Sequence, residues 1–290
     1  MGGTFYGWYL KCQSYTQTLA IIPAVHGTRK KRTCSIQIIT ENGAWTVPFS
    51  YDTFHRIGRS TSQGIAIGKN QFTKNGIRLA IKEPGLRVMG KLDFGPLSPL
   101  KYDIMGPFAL VPLLECRHSV RSMKHSVSGT VHINGQKYSF RNACGYWEGD
   151  QGRSFPKVYA WTQCFFKGGS LMMSVADIPI VGVHFDGVIC VVLWQGKEYR
   201  LATYLGARAV MIQDGLIRVV QGDMELEARL LKKDGMRNNG QPLQAPTMGD
   251  MVRTIHESAA CRAFYRFRKG KRILFAFKTN GASFEYEYPV

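Results

Sequence analysis

Two carboxylates one residue apart, Glu148 and Asp150, stand in the stretch 145–163, which reads GYWEGDQGRSFPKVYAWTQ. Carboxylates held close together cannot both ionise cheaply, so one keeps a proton near neutral pH and becomes a general acid. Four large aromatics, Tyr146, Trp147, Tyr159 and Trp161, stand in the same stretch. Arg153 follows. The same residues also suit a plain structural role, with both carboxylates paired to Arg153 or capping turns of an irregular loop. Flanked by strands, the stretch reads as a loop and strand that meet a pocket.

A second group is Glu115-Cys116-Arg117-His118, with His125 beyond it. On a strand Cys116 and His118 share a face, and with His125 they offer three zinc ligands. No further Cys/His pair completes such a site, so the expectation is no metal and a pocket-lining role. His118 and Glu115 also have the types for an acid/base relay. The aromatic run Phe5-Tyr6-Gly7-Trp8-Tyr9 suits either the wall of an apolar pocket or core packing. Residues 262–272, RAFYRFRKGKR, interleave cations with aromatics. Nucleic-acid surfaces look like this. So does an amphipathic hairpin turning at Lys269-Gly270, which is the preferred reading. No Walker loop, dinucleotide fingerprint, G-x-S-x-G elbow or H-E-x-x-H motif occurs, so nucleotide chemistry and serine hydrolysis have no support.

The elements that must position these residues are strands. Thr18 to Val25 and Ser35 to Thr40 are short β-type runs, and Asn42-Gly43, Asn75-Gly76 and Asn134-Gly135 lie between apolar runs as hairpin signals. Val127, Val131 and Ile133 alternate before the Asn134-Gly135 turn, and Tyr138 and Phe140 after it. Leu226, Ala228 and Leu230 alternate with charges, as do Phe284, Tyr286 and Tyr288. No long stretch has helical periodicity. Residues 232–249 are rich in Gly, Pro, Asn and Gln and predict a long loop. Many short strands over 290 residues predict an all-β barrel or sandwich, at this length two barrels or two sheets closing on each other. The boundary is expected at FFKGGS, dividing the chain into domains 1–165 and 166–290.

The net charge of +18 suits anionic surroundings or partners, or equally serves solubility alone. The basic cluster Arg29 to Arg32 is a solvated hairpin tip or, as the sharper reading, a phosphate- or membrane-facing loop. Seven cysteines with no C-x-x-C argue against a disulfide framework and for a reducing cytosol. The N-terminus lacks a secretory signal pattern, and the apolar run 178–194 is broken by His184 and Asp186, as in buried strands. The expected location is therefore cytoplasmic, or peripheral to a membrane.

The stretch 145–163 resembles the tocopherol cyclase family, in which it usually runs G-Y-x-E-K-[DN]-W-G-x-S-F-P and then W-x-Q. GWYLK at residues 7–11, the E-C-x-H and S-M-x-H elements of 105–125, LATYLGA at 201–207 and APTMGDMVRTIHES at 245–258 extend the resemblance in order along nearly the whole chain. The resemblance implies a lipocalin-like fold of two β-barrel halves with a pocket for a small hydrophobic, prenylated or polycyclic ligand. It also implies a cofactor-free cyclase or isomerase: an acid protonates an alkene, and a phenol oxygen closes a chromanol ring on the cation. Glu148 or Asp150 would then be the acid. Trp8, Tyr9, Tyr146 and Trp161 would line the pocket with Glu115, His118 and His125, and Arg153 and Gln163 would hold geometry. The chain departs from the family pattern at Gly149, Gln151 and Tyr6. These changes open a second expectation, a non-catalytic carrier of a hydrophobic ligand, and a basic nucleic-acid-binding β protein is the third.

Overall fold

The computed structural model describes residues 3–28, 30–60, 63–111, 114–180, 183–231 and 240–289. Arg29 of the basic cluster and residues 232–239 of the expected loop lie outside them. Regular structure is almost entirely strand, and no α-helix occurs among the described residues. Contacts divide the chain into two units. The first comprises Met1–Lys101, Cys116–Ser154 and Gln244–Arg253; the second comprises Tyr102–Glu115, Phe155–Leu243 and Thr254–Val290. The chain passes from the first to the second at Lys101–Tyr102, at Ser154–Phe155 and again at Arg253–Thr254. FFKGGS is a hairpin turn, with Phe166 paired to Gly169 and Gly168 at φ 81°.

The first unit contains β1 (Thr4–Gln13), β2 (Thr18–Gly27), β3 (Arg32–Thr40), β4 (Gly43–Ser50), β5 (Phe54–Arg56), β6 (Gly64–Ile67), β7 (Asn70–Thr73), β8 (Gly76–Glu83), β9 (Leu86–Phe94), β10 (Cys116–Ile133) and β11 (Gln136–Gly152). They form one antiparallel sheet in the order β4-β3-β2-β1-β11-β10-β9-β8-β7-β6-β5. Period-two alternation puts Ile77, Leu79 and Ile81 inward and Arg78 outward. One core collects residues from the whole width of this sheet, from Val47 and Ile36 through Leu10 and Trp147 to Val88, Phe72 and Ile65. A flat sheet cannot bring its distant strands to one core, so the sheet curls.

Turn chemistry follows the sequence at Asn134-Gly135, where φ of 49° and 85° makes the expected type I′ hairpin. The other two Asn-Gly pairs turn one residue earlier. Thr40 pairs with Gly43 and Thr73 with Gly76, so the glycine opens the next strand. The Thr40 and Thr73 hydroxyls accept the Asn42 and Asn75 N–H groups, a local bond that selects the alternative turn.

The second unit holds β12 (Tyr159–Phe166), β13 (Gly169–Ile180), β14 (Val183–Trp194), β15 (Lys197–Ala202), β16 (Arg208–Gln213), β17 (Leu216–Gln221), β18 (Met224–Leu230), β19 (Gln241–Thr247), β20 (Asp250–Lys269) and β21 (Arg272–Tyr286), except for residues 244–247 of β19 and 250–253 of β20, which fall in the first. Its sheet runs β15-β14-β13-β12-β21-β20-β18-β17-β16, with β19 against β20. Leu171, Val188, Cys190, Val192, Ile217, Leu226, Tyr265 and Phe284 fill its core. The strand β19 corrects the loop expected there: Leu243 and Ala245 are buried, and Pro242 and Pro246 are tolerated because β19 pairs on one side only.

The side chain of Gln221 at the end of β17 ties that strand to β15. Its Nε2 donates to the Arg200 carbonyl at 3.1 Å and its Oε1 accepts the Ala202 N–H at 2.9 Å. One amide replaces two ladder bonds and joins strands that are far apart in the sheet order. Gln221→Leu is expected to cost about 1–3 kcal/mol, read as a lower denaturation midpoint with an unchanged slope.

Candidate functional site

Glu148 and Asp150 lie not in a loop but within strand β11, where spacing of two puts them on one face together with Tyr146. The neighbouring strands supply the rest of that face. On β1, Tyr9 is opposite Glu148 and Lys11 opposite Tyr146; on β10, His118 is opposite Asp150. Tyr9, Lys11, Tyr146, Glu148 and His118 are all buried, and none belongs to the core that fills the curled sheet. The sheet is therefore buried on both faces here, apolar on the inner one and polar on the outer.

His118 stands between the two acids. Its Nδ1 is 2.9 Å from Asp150 Oδ1 and its Nε2 is 3.2 Å from Glu148 Oε2. The second contact is not aligned as a hydrogen bond, so it acts as a charge–charge contact. Tyr146 donates its hydroxyl to the same Glu148 oxygen at 2.5 Å, and the Cys116 thiol lies 3.5 Å from Asp150 Oδ1. Burial alone would lower the His118 pKa, but Asp150 and Glu148 outweigh it and hold the imidazole well above its usual value. Burial and then Glu148 keep the Tyr146 phenol protonated far above its usual range. Sequence reasoning groups this histidine with Glu115, whose side chain is exposed, and so misses its protonated state. Counting back from the Asn134-Gly135 turn would place His118 opposite Gln151; the register shifts along the β10–β11 hairpin bring it to Asp150 instead.

Donor atoms of His118, Glu148 and Asp150 lie within 4.8 Å of one another. One imidazole and two carboxylates form a set that suits a divalent cation. As arranged, both ring nitrogens face the carboxylates, and a metal would have to displace one of these contacts. The three-ligand set of Cys116, His118 and His125 does not form. An odd spacing puts His118 and His125 on opposite faces, and the bulges between Val120 and His125 leave them so.

His125 instead packs at a tilt against Phe94, with ring centroids 4.5 Å apart, and its Nδ1 contacts the Ser122 hydroxyl at 3.0 Å. A Cβ at Gly145 would lie 2.3 Å from its Nε2, so glycine is required there. Burial lowers the His125 pKa to about 4. The unfolded histidine binds its proton near pH 6.5, so the stabilising contribution is complete above that value and is lost as pH falls through 4. The loss is about 3 kcal/mol. Urea denaturation at pH 7 and pH 4 should show it in the parent and not in His125→Gln.

Other expected site residues divide by face. Trp8 is 1% exposed and points into the core beside Trp147, with ring centroids 4.9 Å apart. The Arg121 guanidinium lies over both rings at 5.0 and 5.3 Å, and Tyr6 accepts from Trp8 Nε1 at 2.7 Å. A Cβ at Gly149 would meet Trp8 Cδ1 at 2.9 Å, so this departure from the family pattern admits the indole. Arg153 is partly buried, and its carbonyl accepts the Gly249 N–H.

Trp161 and Gln163 belong to the second unit, on the outer face of β12 with Tyr159. Tyr159 donates to Glu285 at 2.5 Å, and Glu285 lies opposite both Trp161 and the fully buried Glu257. Sequence reasoning misses this second Tyr–Glu pair because its members are over a hundred residues apart. Gln163 is fully buried, and neither end of its amide has a partner among the described residues. The basic-aromatic segment 262–272 is a hairpin, as preferred. Arg266 and Arg268 pair with Glu227 and Glu225 of β18 at 2.9 Å, and Tyr265 and Phe267 face the core. None of the seven cysteines is in a disulfide. Among the described residues no helix is long and apolar enough to cross a membrane.

No family model matches the chain, and no curated protein matches it in sequence. Solved structures do match its fold. Kievitone hydratase from Nectria haematococca superposes with a TM-score of 0.56 at 9% identity, over 99% of this chain and 90% of that one. CghA gives 0.62 at 8% identity, over 99% and 88%, and has also been solved with Sch210972. A protein assigned as AttH from Nitrosomonas europaea gives 0.53 at 10% identity, over 100% and 93%. The chain therefore has the two-part, lipocalin-like all-β fold of these proteins.

Proposed function

Starting from that shared fold, we propose that the chain is an enzyme that catalyses an addition or ring closure on a hydrophobic substrate by proton transfer at the Tyr146–Glu148–His118–Asp150 cluster. The observation that carries the reading is His118 held as imidazolium between two acids on a buried face. Kievitone hydratase shares the fold, and hydration is an addition. His118 stores the proton. Glu148, touched by both His118 and Tyr146, orients a substrate hydroxyl or relays the proton. Asp150 fixes the imidazole and, being the most solvent-accessible of the three, exchanges protons with water.

An imidazolium with a raised pKa is a weak acid. It protonates an oxygen or a polarised double bond far more readily than an isolated alkene. The reading therefore favours an enone or a comparable conjugated acceptor carrying a nearby hydroxyl. Its finer form, chromanol closure on a prenyl quinol, needs a stronger acid than the cluster supplies at rest.

The experiment is to incubate the protein with 2′-hydroxychalcone and, separately, with a prenyl quinol, and to follow both by chromatography and mass spectrometry. A product of unchanged mass and altered retention establishes ring closure, and gain of one water establishes hydration. Prenyl-quinol turnover without enone turnover would reverse the preference between the two. Ligand retained unchanged would replace the enzyme reading with a carrier.

A further inference from the structure

The ladder between β12 and β21 runs from Ala160 opposite Tyr286 to Gln163 opposite Ser283 and stops there. Both strands continue: β12 to Phe166, and β21 back to Arg272. They part beyond Gln163, and the gap between them is a cleft of about 430 Å³. One lip is Phe165, Phe166 and Lys167; the other is Phe275, Ala276, Phe277, Lys278 and Thr279.

Alternation sorts this lining into two layers. Phe275 and Phe277 pair with the core residues Phe267 and Tyr265, so they face inward, and Phe166 packs tilted on Phe275 at 4.6 Å and stacks on Phe277 at 4.9 Å. These rings pack against the core of the unit while remaining partly exposed. Lys278 and Ala276 belong to the outward set and are exposed, and Lys167 is exposed at the hairpin turn. The cleft thus runs from a cationic rim to an aromatic floor.

We infer that this cleft binds an anionic amphiphile, a carboxylate on a medium-length alkyl chain, with the chain on Phe166, Phe275 and Phe277 and the carboxylate between Lys167 and Lys278. The volume falls in the range of small-molecule sites, roughly 300–1,000 Å³. Neither lysine has an ion-pair partner among the described residues, so both ammonium groups are available to an anion. The inference concerns the second unit and does not depend on the proton-transfer cluster in the first.

The test uses the whole chain and monomeric decanoate, with decanol as the neutral control, by titration calorimetry. Decanoate should bind more tightly than decanol. Lys167→Ala with Lys278→Ala should weaken decanoate about tenfold, ~1.4 kcal/mol, and leave decanol unchanged. Ala276→Trp, at an exposed position, should block both ligands without lowering the melting temperature. Equal affinity for decanoate and decanol, or binding that survives Ala276→Trp, overturns the inference. A parallel arm with phosphatidylglycerol vesicles separates sources. Vesicle binding unaffected by Ala276→Trp, with no uptake of free decanoate, would mean a surface contact with lipid and would also overturn it.

Discussion

Replacing His118 by Gln is expected to lower turnover of whichever probe substrate reacts by about 10²–10⁴-fold, with a much smaller change in substrate affinity. Glutamine keeps the size and one hydrogen bond to Asp150 but cannot hold a transferable proton. Glu148→Gln should give a loss of the same order, and the double variant little more, because the two act as a unit. Tyr146→Phe removes one hydrogen bond to Glu148 and should cost less. The pH profile separates a chemical role from a structural one. The folded pKa of His118 is raised, so its protonated form and the stability it contributes are both complete below about pH 6.5. Both are lost as pH rises through the folded value. Activity of the parent should therefore fall on the alkaline side, and the residual activity of His118→Gln should lack that limb. A loss of activity with an unchanged alkaline limb would assign the proton to another group.

How much of this is legible without coordinates depends on the range of the interaction. Alternation and Asn-Gly turns are local, and they place Val131, Ile133, Tyr138 and Phe140 correctly. The Glu148 and Asp150 pair is also legible, but its setting is not. Two glycines and a charge cluster read as a loop, whereas β11 stays extended through Gly152 because both of its edges are paired. Gly149 there is a packing requirement of Trp8 and not a turn. The partner that gives the acids their chemistry, His118, comes from the other arm of a long hairpin with register shifts, and no count along the sequence fixes such a register. The Tyr159–Glu285 pair illustrates the same limit across a still longer separation. Residues 241–247 escape for a different reason. Proline content argues for a loop, while an edge strand accommodates proline without losing a ladder bond.

Trp8 and Tyr9 are neighbours in sequence on opposite faces of β1, and they test that assignment directly. Trp8→Ala is expected to destabilise the chain by about 3–5 kcal/mol, the usual cost of truncating a large buried aromatic side chain. The indole is fully enclosed: it packs edge-on against Trp147, lies under Arg121 and donates to Tyr6. Its removal leaves a cavity and strands the Arg121 charge above one ring instead of two. Tyr9→Phe, one position on, keeps the ring and removes only a hydroxyl on the face that carries Glu148. Its effect on stability should stay within about 1–2 kcal/mol, while its effect on turnover should exceed that of Trp8→Phe. Urea midpoints of the two variants, taken beside their rates with the reactive probe, give the comparison. If Trp8→Phe changes rate and leaves stability untouched, the indole contacts substrate and the two faces of β1 have been assigned the wrong way round. If it lowers the midpoint and leaves the rate per folded molecule unchanged, catalysis belongs to the outer, polar face and the inner face only holds the sheet in its curve.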